Sequence, residues 1–394
     1  MIDFTLSKKD REILDYVRSE ALVARKYARH YDENEHEFPP DELPEASEFP
    51  GVEKAFAGWN PETDSPMPVL TMLVAAGQTW GDYSVRMRRG RGGLGNAALR
   101  AAGTPEQIEK WGHLTLAMAI TEPGCGSDPS RVATTAVLDP ETNEWVLNGE
   151  KIFVTTGCRA DGVVVWATID RSAGRAGIKS FLVEKGTPGF IVAHKEKKLG
   201  IRADDTAAYV FRDCRIPREN LLGGDESIPK QSSGGFKGVM KTFNMTRPSV
   251  AAIGLGMAEA ALDFTRDELR RAGLPVDAYG SSLHGESAAV AKLHQLEALH
   301  EAAMLTVLHA AWLSGEGRPN NLEASICKAK AGEAVRLVTQ GCIELLGPMG
   351  ISREHLLEKW FRDVRITDIY EGTGEIQRLI IARTILGYSR DQLK

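Results

Sequence analysis

Apolar residues in the first thirty positions return at helical intervals, with Ile13, Leu14, Val17, Ala21 and Val23 on one stripe, which predicts a helix over about residues 7–29. Ser7 stands where its hydroxyl can cap that helix, and Asp10 falls in the first turn. Residues 31–50 are rich in Asp, Glu and Pro and include Pro39-Pro40, so the helix cannot continue and an irregular surface excursion is expected. Alanine- and leucine-rich stretches at 67–76, 93–102 and 105–111, parted by glycines, predict further helices up to about residue 115. From Leu116 the pattern turns to short β-branched runs at 145–147, 151–155, 163–168, 180–183 and 208–211. Asn148-Gly149 separates the first two runs and is expected to turn a hairpin, since both residues tolerate positive φ; Phe153 and Thr155 then share a strand face. Ser232-Ser233-Gly234-Gly235 reads as a linker, after which helical spacing returns over 239–271, 288–313, 322–346 and 375–386. The order helices, strands, helices predicts an α+β protein: an N-terminal helical domain (1–115), a middle β domain (116–233) and a C-terminal helical domain (234–394).

Bulk properties narrow the function without naming it. At 394 residues the chain exceeds the size of a single growing core, consistent with two or three packed units. A net charge of −6 gives no general attraction for phosphate polymers, and no apolar run reaches bilayer length, so neither nucleic acid nor membrane is an expected partner. The five cysteines are scattered without a CxxC pair, which predicts neither a disulfide framework nor a metal site. Residues 1–6 show no basic stretch followed by an apolar segment, so a cytoplasmic enzyme is expected.

Three segments carry candidate chemistry. Gly90-Arg91-Gly92-Gly93-Leu94-Gly95 matches G-x-G-x-x-G, but the residues before it are too polar for a buried parallel strand, so a glycine-rich helix connection is the better reading. Thr121-Glu122-Pro123-Gly124-Cys125-Gly126-Ser127-Asp128 is a loop whose glycines free the backbone to approach a ring or an anion. With Ala117 to Ile120 before it and Lys151-Ile152-Phe153-Val154-Thr155-Thr156-Gly157 after it, the stretch resembles the flavin-binding signature of acyl-CoA dehydrogenases. Ile369-Tyr370-Glu371-Gly372-Thr373-Gly374-Glu375-Ile376-Gln377-Arg378 resembles the segment that carries the same family's catalytic carboxylate. Leu199-Gly200-Ile201-Arg202, Ile216-Pro217-Arg218-Glu219-Asn220 and Thr246-Arg247-Pro248 recur in family order, so the resemblance spans essentially the whole chain.

That resemblance implies FAD-dependent conversion of an acyl-CoA to a trans-2-enoyl-CoA, within fatty acid metabolism, with electrons passed to an electron-transferring flavoprotein. It implies Glu371 as the catalytic base, Met118, Ile120, Thr121, Ser127, Phe153, Thr155, Thr373 and Glu375 at the cofactor, and Ser127, Asn244, Arg247, Tyr370 and Gly372 at the substrate. It implies a middle β-barrel or sandwich domain between an N-terminal helical domain and a C-terminal four-helix bundle, no metal, and a homodimer or tetramer, with a heteromer also open. The residues support the chemistry independently. A Cα–H beside a thioester is a weak acid, so a site must polarise the carbonyl and hold its base in contact. Gly372 after Glu371 admits close backbone approach and Thr373 is placed to cap the last helix, which would fix the carboxylate at the helix mouth. Burial would raise the Glu371 pKa and the helix end would lower it, leaving the net direction open. A lone Glu at a helix start is ordinarily a cap, and Met118 and Ile120 could equally be packed β-core.

The chain departs from the family pattern where an Arg-x-x-Phe-Gly segment and a nearby Gln usually hold the adenosine-diphosphate half of FAD. Val276 occupies the arginine position before Tyr279-Gly280, Ser287 falls near the glutamine, and Arg271 is the candidate substitute. Glu344-Leu345-Leu346-Gly347-Pro348 stands where Gln-x-Leu-Gly-Gly is usual. Two alternatives therefore accompany the main reading: a flavin oxidase or monooxygenase of the same fold, and a structural subunit of a heteromeric acyl-CoA dehydrogenase.

Overall fold

The computed structural model describes residues 4–40, 56–83, 93–228, 235–278, 287–389 and 392, with the backbone alone described over 235–245. Two units emerge: a helical one (Met1–Arg86, Leu199–Ala203 and Asn244–Lys394) and a strand-rich one (Met87–Lys198 and Asp204–Phe243).

In the helical unit, α1 (Lys8–Glu33) opens on a full capping box, the Ser7 hydroxyl accepting from the Asp10 amide and the Asp10 carboxylate from the Ser7 amide. Its apolar stripe, Ile13 and Val17, packs against Leu70 and Val74 of α2 (Met67–Gly81). The expected excursion runs into residues outside those described from position 41 onward.

The strand-rich unit begins with α3 (Leu94–Ala102) and α4 (Pro105–Trp111), followed by β1 (Leu116–Ala119), β2 (Thr135–Asp139), β3 (Glu144–Thr155), β4 (Gly162–Thr168), β5 (Ile178–Glu184), β6 (Phe190–Lys195) and β7 (Thr206–Pro217). The strands form one mixed sheet in the order β1-β4-β2-β3-β7-β6, with β5 also paired to β4. β4 is buried on both faces, which explains its unbroken apolar run. Val163, Val165 and Ala167 join Trp145, Phe181 and Phe211 on one side, while Val164 and Trp166 meet Leu99 and Trp111 of α3 and α4 on the other.

The glycine-rich segment serves that second face, as far as it is described. A side chain on Gly93 would stand 2.1 Å from the Leu116 carbonyl oxygen, and one on Gly95 2.2 Å from that of Ala117, so glycine lets α3 lie directly on β1.

The hairpin expected at Asn148-Gly149 does not form. β3 runs unbroken through both residues, and the turn comes earlier, at 140–143, where Asn143 takes φ 57° and its amide bonds the Asp139 carbonyl at 2.9 Å. Asn148 instead pairs across the sheet, accepting from the Asp213 amide at 2.8 Å and donating to the Asp213 carboxylate at 3.1 Å. The register shifts between Leu147 and Gly149, so the two residues that read as a turn make a bulge, a use the same backbone tolerance permits.

The later helices are α5 (Gly235–Arg271), α6 (Ala288–Gly315), α7 (Asn321–Leu346), a single turn at Pro348–Ile351, α8 (Leu357–Asp363) and α9 (Gly374–Leu386). Lys359 of α8 is buried between Asp82 and Asp363, and Asp363 also accepts from the Ile201 amide at 2.6 Å. Arg362 grips Asp32 of α1 with two N–H groups, at 2.9 and 2.6 Å. These buried charges fix α8, and through it the chain that leads to Glu371.

Candidate active site

The chain leaves α8 through a tight turn at 364–368 and reaches Glu371 with φ 54°, followed by Gly372 with φ 90°. Two successive left-handed residues reverse the chain before α9, and the second needs glycine: a Cβ there would meet Gln377 Nε2 at 2.6 Å. Thr373 caps α9 as expected, its hydroxyl accepting from the Ile376 amide at 3.3 Å. The exposed Glu375 stands in the first turn of that helix, a favourable place for an anion.

Glu371 is partly buried, and one carboxylate oxygen accepts from the Thr246 hydroxyl of α5 at 2.5 Å. Burial pushes its pKa above the ordinary carboxylate value, against the Thr246 bond and the charges of Lys328 and Arg247, which pull it down. Arg247 is buried beside it and reaches the Ser325 hydroxyl at 3.4 Å. Burial lowers the pKa of that guanidinium, with the Glu371 charge opposing. Tyr370 precedes the carboxylate and is half-buried. The side chain of Asn244 lies outside the described residues. The structure therefore gathers Glu371, Arg247, Tyr370, Gly372 and Thr373 into the helical unit.

Lys328 of α7, which sequence reasoning passed over, belongs to the same cluster. It is fully buried and donates to the Gly372 carbonyl at 2.6 Å, and burial lowers its pKa to about 8 against the charges of Asp368 and Glu371.

In the strand-rich unit, the remaining candidates are set by a second buried charge. Lys151, with no exposed surface, points into the core from β3 and donates to Glu122 at 2.8 Å and to the Ile120 carbonyl at 3.0 Å. Glu122 also accepts from the amides of Ala133 at 2.6 Å and Thr134 at 2.9 Å. Burial pushes the Glu122 pKa up, but the Lys151 charge and these donors outweigh it and hold the carboxyl below its ordinary range. The Ile152 amide bonds the Thr121 carbonyl at 3.0 Å, so segment 118–121 is strapped to β3 beside Phe153.

Between Lys151 and Val154, both buried, the β3 register shifts, and Phe153 sits on this bulge with φ 59° and 61% of its surface exposed. Positive φ is costly for an aromatic residue and marks a place where the surroundings impose the conformation. Thr121 and Thr155 are half-buried, Ser127 is exposed, and the α-carbons of Gly124 and Gly126 face open space. Met118 and Ile120 are also half-buried and pack against the Leu99, Trp111 and Trp166 cluster. After Thr155 the chain is held by Asp205, which accepts from the amides of Cys158 at 2.8 Å and Arg159 at 3.1 Å. An exposed ring on a fixed bulge, flanked by hydroxyls and open backbone, fits a planar heterocycle with a polar edge, as flavin is.

At the departures from the family pattern the residues present do structural work. Val276 is buried, and its carbonyl accepts from Arg266 at 3.1 Å. Ser287 caps α6 through the Val290 amide at 3.3 Å, Arg271 pairs with Glu268 on its own helix, and Glu344 accepts from Gln340 at 2.9 Å. Tyr279 and Gly280 lie outside the described residues. Among the described residues no helix is long and apolar enough to cross a membrane, and no group of three His, Cys, Asp or Glu side chains could hold a metal ion.

This architecture and these two clusters agree with two family models: residues 117–214 match the acyl-CoA dehydrogenase middle domain and residues 233–386 the acyl-CoA dehydrogenase C-terminal domain. The chain belongs to the acyl-CoA dehydrogenase family of flavoprotein oxidoreductases. It is 33% identical over 400 residues to the acryloyl-CoA reductase (NADH) of Anaerotignum propionicum, covering 98% of this chain and 96% of that one. It is 39% identical over 290 residues to the mouse mitochondrial short-chain specific acyl-CoA dehydrogenase, covering 72% and 67%. The solved butyryl-CoA dehydrogenase of Megasphaera elsdenii superposes with a TM-score of 0.78 at 29% identity, covering 98% of this chain and all of that one.

Proposed function

We propose that this protein dehydrogenates an acyl-CoA thioester to a trans-2-enoyl-CoA, with Glu371 as the base that removes the α-proton, FAD as its cofactor and an electron-transferring flavoprotein as acceptor. The observation that carries the reading is the Glu371 carboxylate, raised by burial yet held by Thr246 beside Lys328 and Arg247. A raised pKa strengthens the carboxylate as a base, while the neighbouring donor and cations oppose the rise and favour the ionised form, the balance a general base requires. The reversed chain at Glu371 and Gly372 fixes where the carboxylate points, so little orientation is lost in reaching the α-carbon. Flavin, when bound, accepts the β-hydrogen as hydride. Phe153 is offered to its ring, Thr121 and Thr155 to its polar edge, and Met118, Ile120, Ser127, Thr373 and Glu375 complete the proposed contacts. Arg247, Asn244, Ser127, Tyr370 and Gly372 are proposed to contact the substrate.

The same residues serve the opposite direction, enoyl thioester reduction, in which protonated Glu371 returns the α-proton. The likeness to an acryloyl-CoA reductase over 98% of the chain favours weighing it. The experiment is anaerobic mixing of flavin-loaded protein with saturated acyl-CoAs of graded length, and of dithionite-reduced protein with the matching enoyl-CoAs. Bleaching by a saturated thioester, absent in a Glu371→Gln variant that keeps its flavin, is the expected result. A variant that bleaches at the wild-type rate, or a panel in which no thioester exchanges electrons, overturns the proposal.

A further inference from the structure

Lys328 has no exposed surface and forms no ion pair among the described residues, yet its ammonium rests on one main-chain oxygen, the Gly372 carbonyl. Burying a cation in that way is unfavourable, and an aliphatic side chain would fill the same helix face at lower cost. The carbonyl it holds closes the peptide next to Glu371, and Gln377, itself fully buried, donates to the same oxygen at 3.1 Å and to the Glu371 carbonyl at 3.3 Å. Two buried donors thus clamp the only two consecutive left-handed residues of this turn, of which Glu371 has a side chain that disfavours the conformation.

We infer that Lys328 is a positioning residue for the proposed base: from the Gly372 carbonyl, its amine fixes the reversed Glu371–Gly372 backbone and its charge stabilises the Glu371 carboxylate. The inference rests on the reading of Glu371 given above. Other charges act on the pair from each neighbouring element. Arg247 on α5 works in the same direction as Lys328, while Asp368 before Glu371 and Glu375 on α9 draw on the lysine's charge. The hydroxyl of Thr246 supplies the direct bond to the carboxylate. The sign follows: a cation lowers the carboxylate's pKa, so removing Lys328 raises it, and the acid limb of the reaction moves to higher pH.

The test is the pH dependence of anaerobic flavin bleaching in the whole flavin-loaded chain, with Lys328→Met and Lys328→Gln. Methionine removes charge and donor; glutamine removes the charge and keeps a donor for the carbonyl. Lys328→Met should move the acid limb up by on the order of one pH unit and lower the plateau about tenfold or more. Lys328→Gln should recover much of the plateau while the limb stays displaced. An acid limb at the wild-type position in both variants overturns the inference and reduces Lys328 to a packing role. Should Lys328→Met not fold, the limb of Lys328→Gln decides alone. Glu371→Gln in the same assay keeps the two ideas apart. If it still bleaches, the base is misassigned; if it is inactive while the lysine variants keep the wild-type limb, only the inference about Lys328 fails.

Discussion

Replacing Lys151 by Met would keep a long unbranched side chain in the core while removing its charge. It leaves Glu122 buried with its two amide donors, Ala133 and Thr134, but without the ammonium 2.8 Å away. Breaking one partner out of a buried pair costs about 3–5 kcal/mol, and the surviving amides place the expectation at the lower end, about 3 kcal/mol. The cost should depend on pH in a defined direction. In the wild type the Glu122 pKa lies below the ordinary 4.5, so its ionised form contributes stability above that value, which is lost as pH falls through the folded pKa. Without the cation, burial dominates and the folded pKa rises above the unfolded one, so the variant loses stability as pH rises. The gap between the two proteins should therefore be widest near pH 7.5 and narrow below about pH 5. Urea unfolding of both proteins at the two pH values measures it. Adding Glu122→Gln, which removes the orphaned charge and keeps an acceptor for the amides, should recover at least part of the loss. A deficit under about 1 kcal/mol at neutral pH, or one that does not change with pH, would refute the reasoning.

Gly95→Ala tests the contact of α3 with β1. Helix propensity alone predicts a gain of up to about 1 kcal/mol, whereas a Cβ 2.2 Å from the Ala117 oxygen predicts a loss of about 1–3 kcal/mol, so a thermal melt that rises would refute the packing argument. Phe153→Ala should leave stability nearly unchanged because the ring is exposed, and should weaken flavin binding about two- to tenfold; titration of apoprotein with FAD measures this, and unchanged affinity would remove Phe153 from the proposed cofactor face. Gly372→Ala should destabilise by about 1–2 kcal/mol through its positive φ and slow bleaching with flavin retained, while a wild-type rate would show that the reversed backbone does not position the base.

Local signals proved readable wherever a few neighbouring residues settle the structure. Ser7 with Asp10 announced the start of α1, Thr373 that of α9, and the apolar spacing gave the four long later helices to within a few residues. The family resemblance was equally legible, because its motifs are contiguous runs of residues that can be recognised without knowing what packs against them. Less legible were features that depend on what lies across the fold. Asn148-Gly149 reads as a turn in isolation, and only its pairing with Asp213 makes it a bulge. Strands β1 and β2 are short, and β6 exposes Ile191 and Val192, so none carries a strong periodic signal. Glu122, Lys151 and Lys328 look like surface charges in a linear sequence. A clue was present for Lys151, which opens a β-branched run, and for Lys328, which interrupts an apolar helix face. The net direction of the Glu371 pKa could not be read at all, since it depends on Thr246, Arg247 and Lys328 arriving from two other helices.

The claim on which the account turns is that Glu371 takes the α-proton, and hydrogen exchange isolates that step from electron transfer. A 3-thia-acyl-CoA carries sulfur at the β-position and has no hydrogen there to give up, so exchange of its α-hydrogens in deuterated water reports the base alone. Flavin-loaded wild-type protein should wash deuterium into the α-position, and Glu371→Gln should slow this by about 100-fold or more. Exchange at the wild-type rate in a folded, flavin-loaded Glu371→Gln protein would contradict the account.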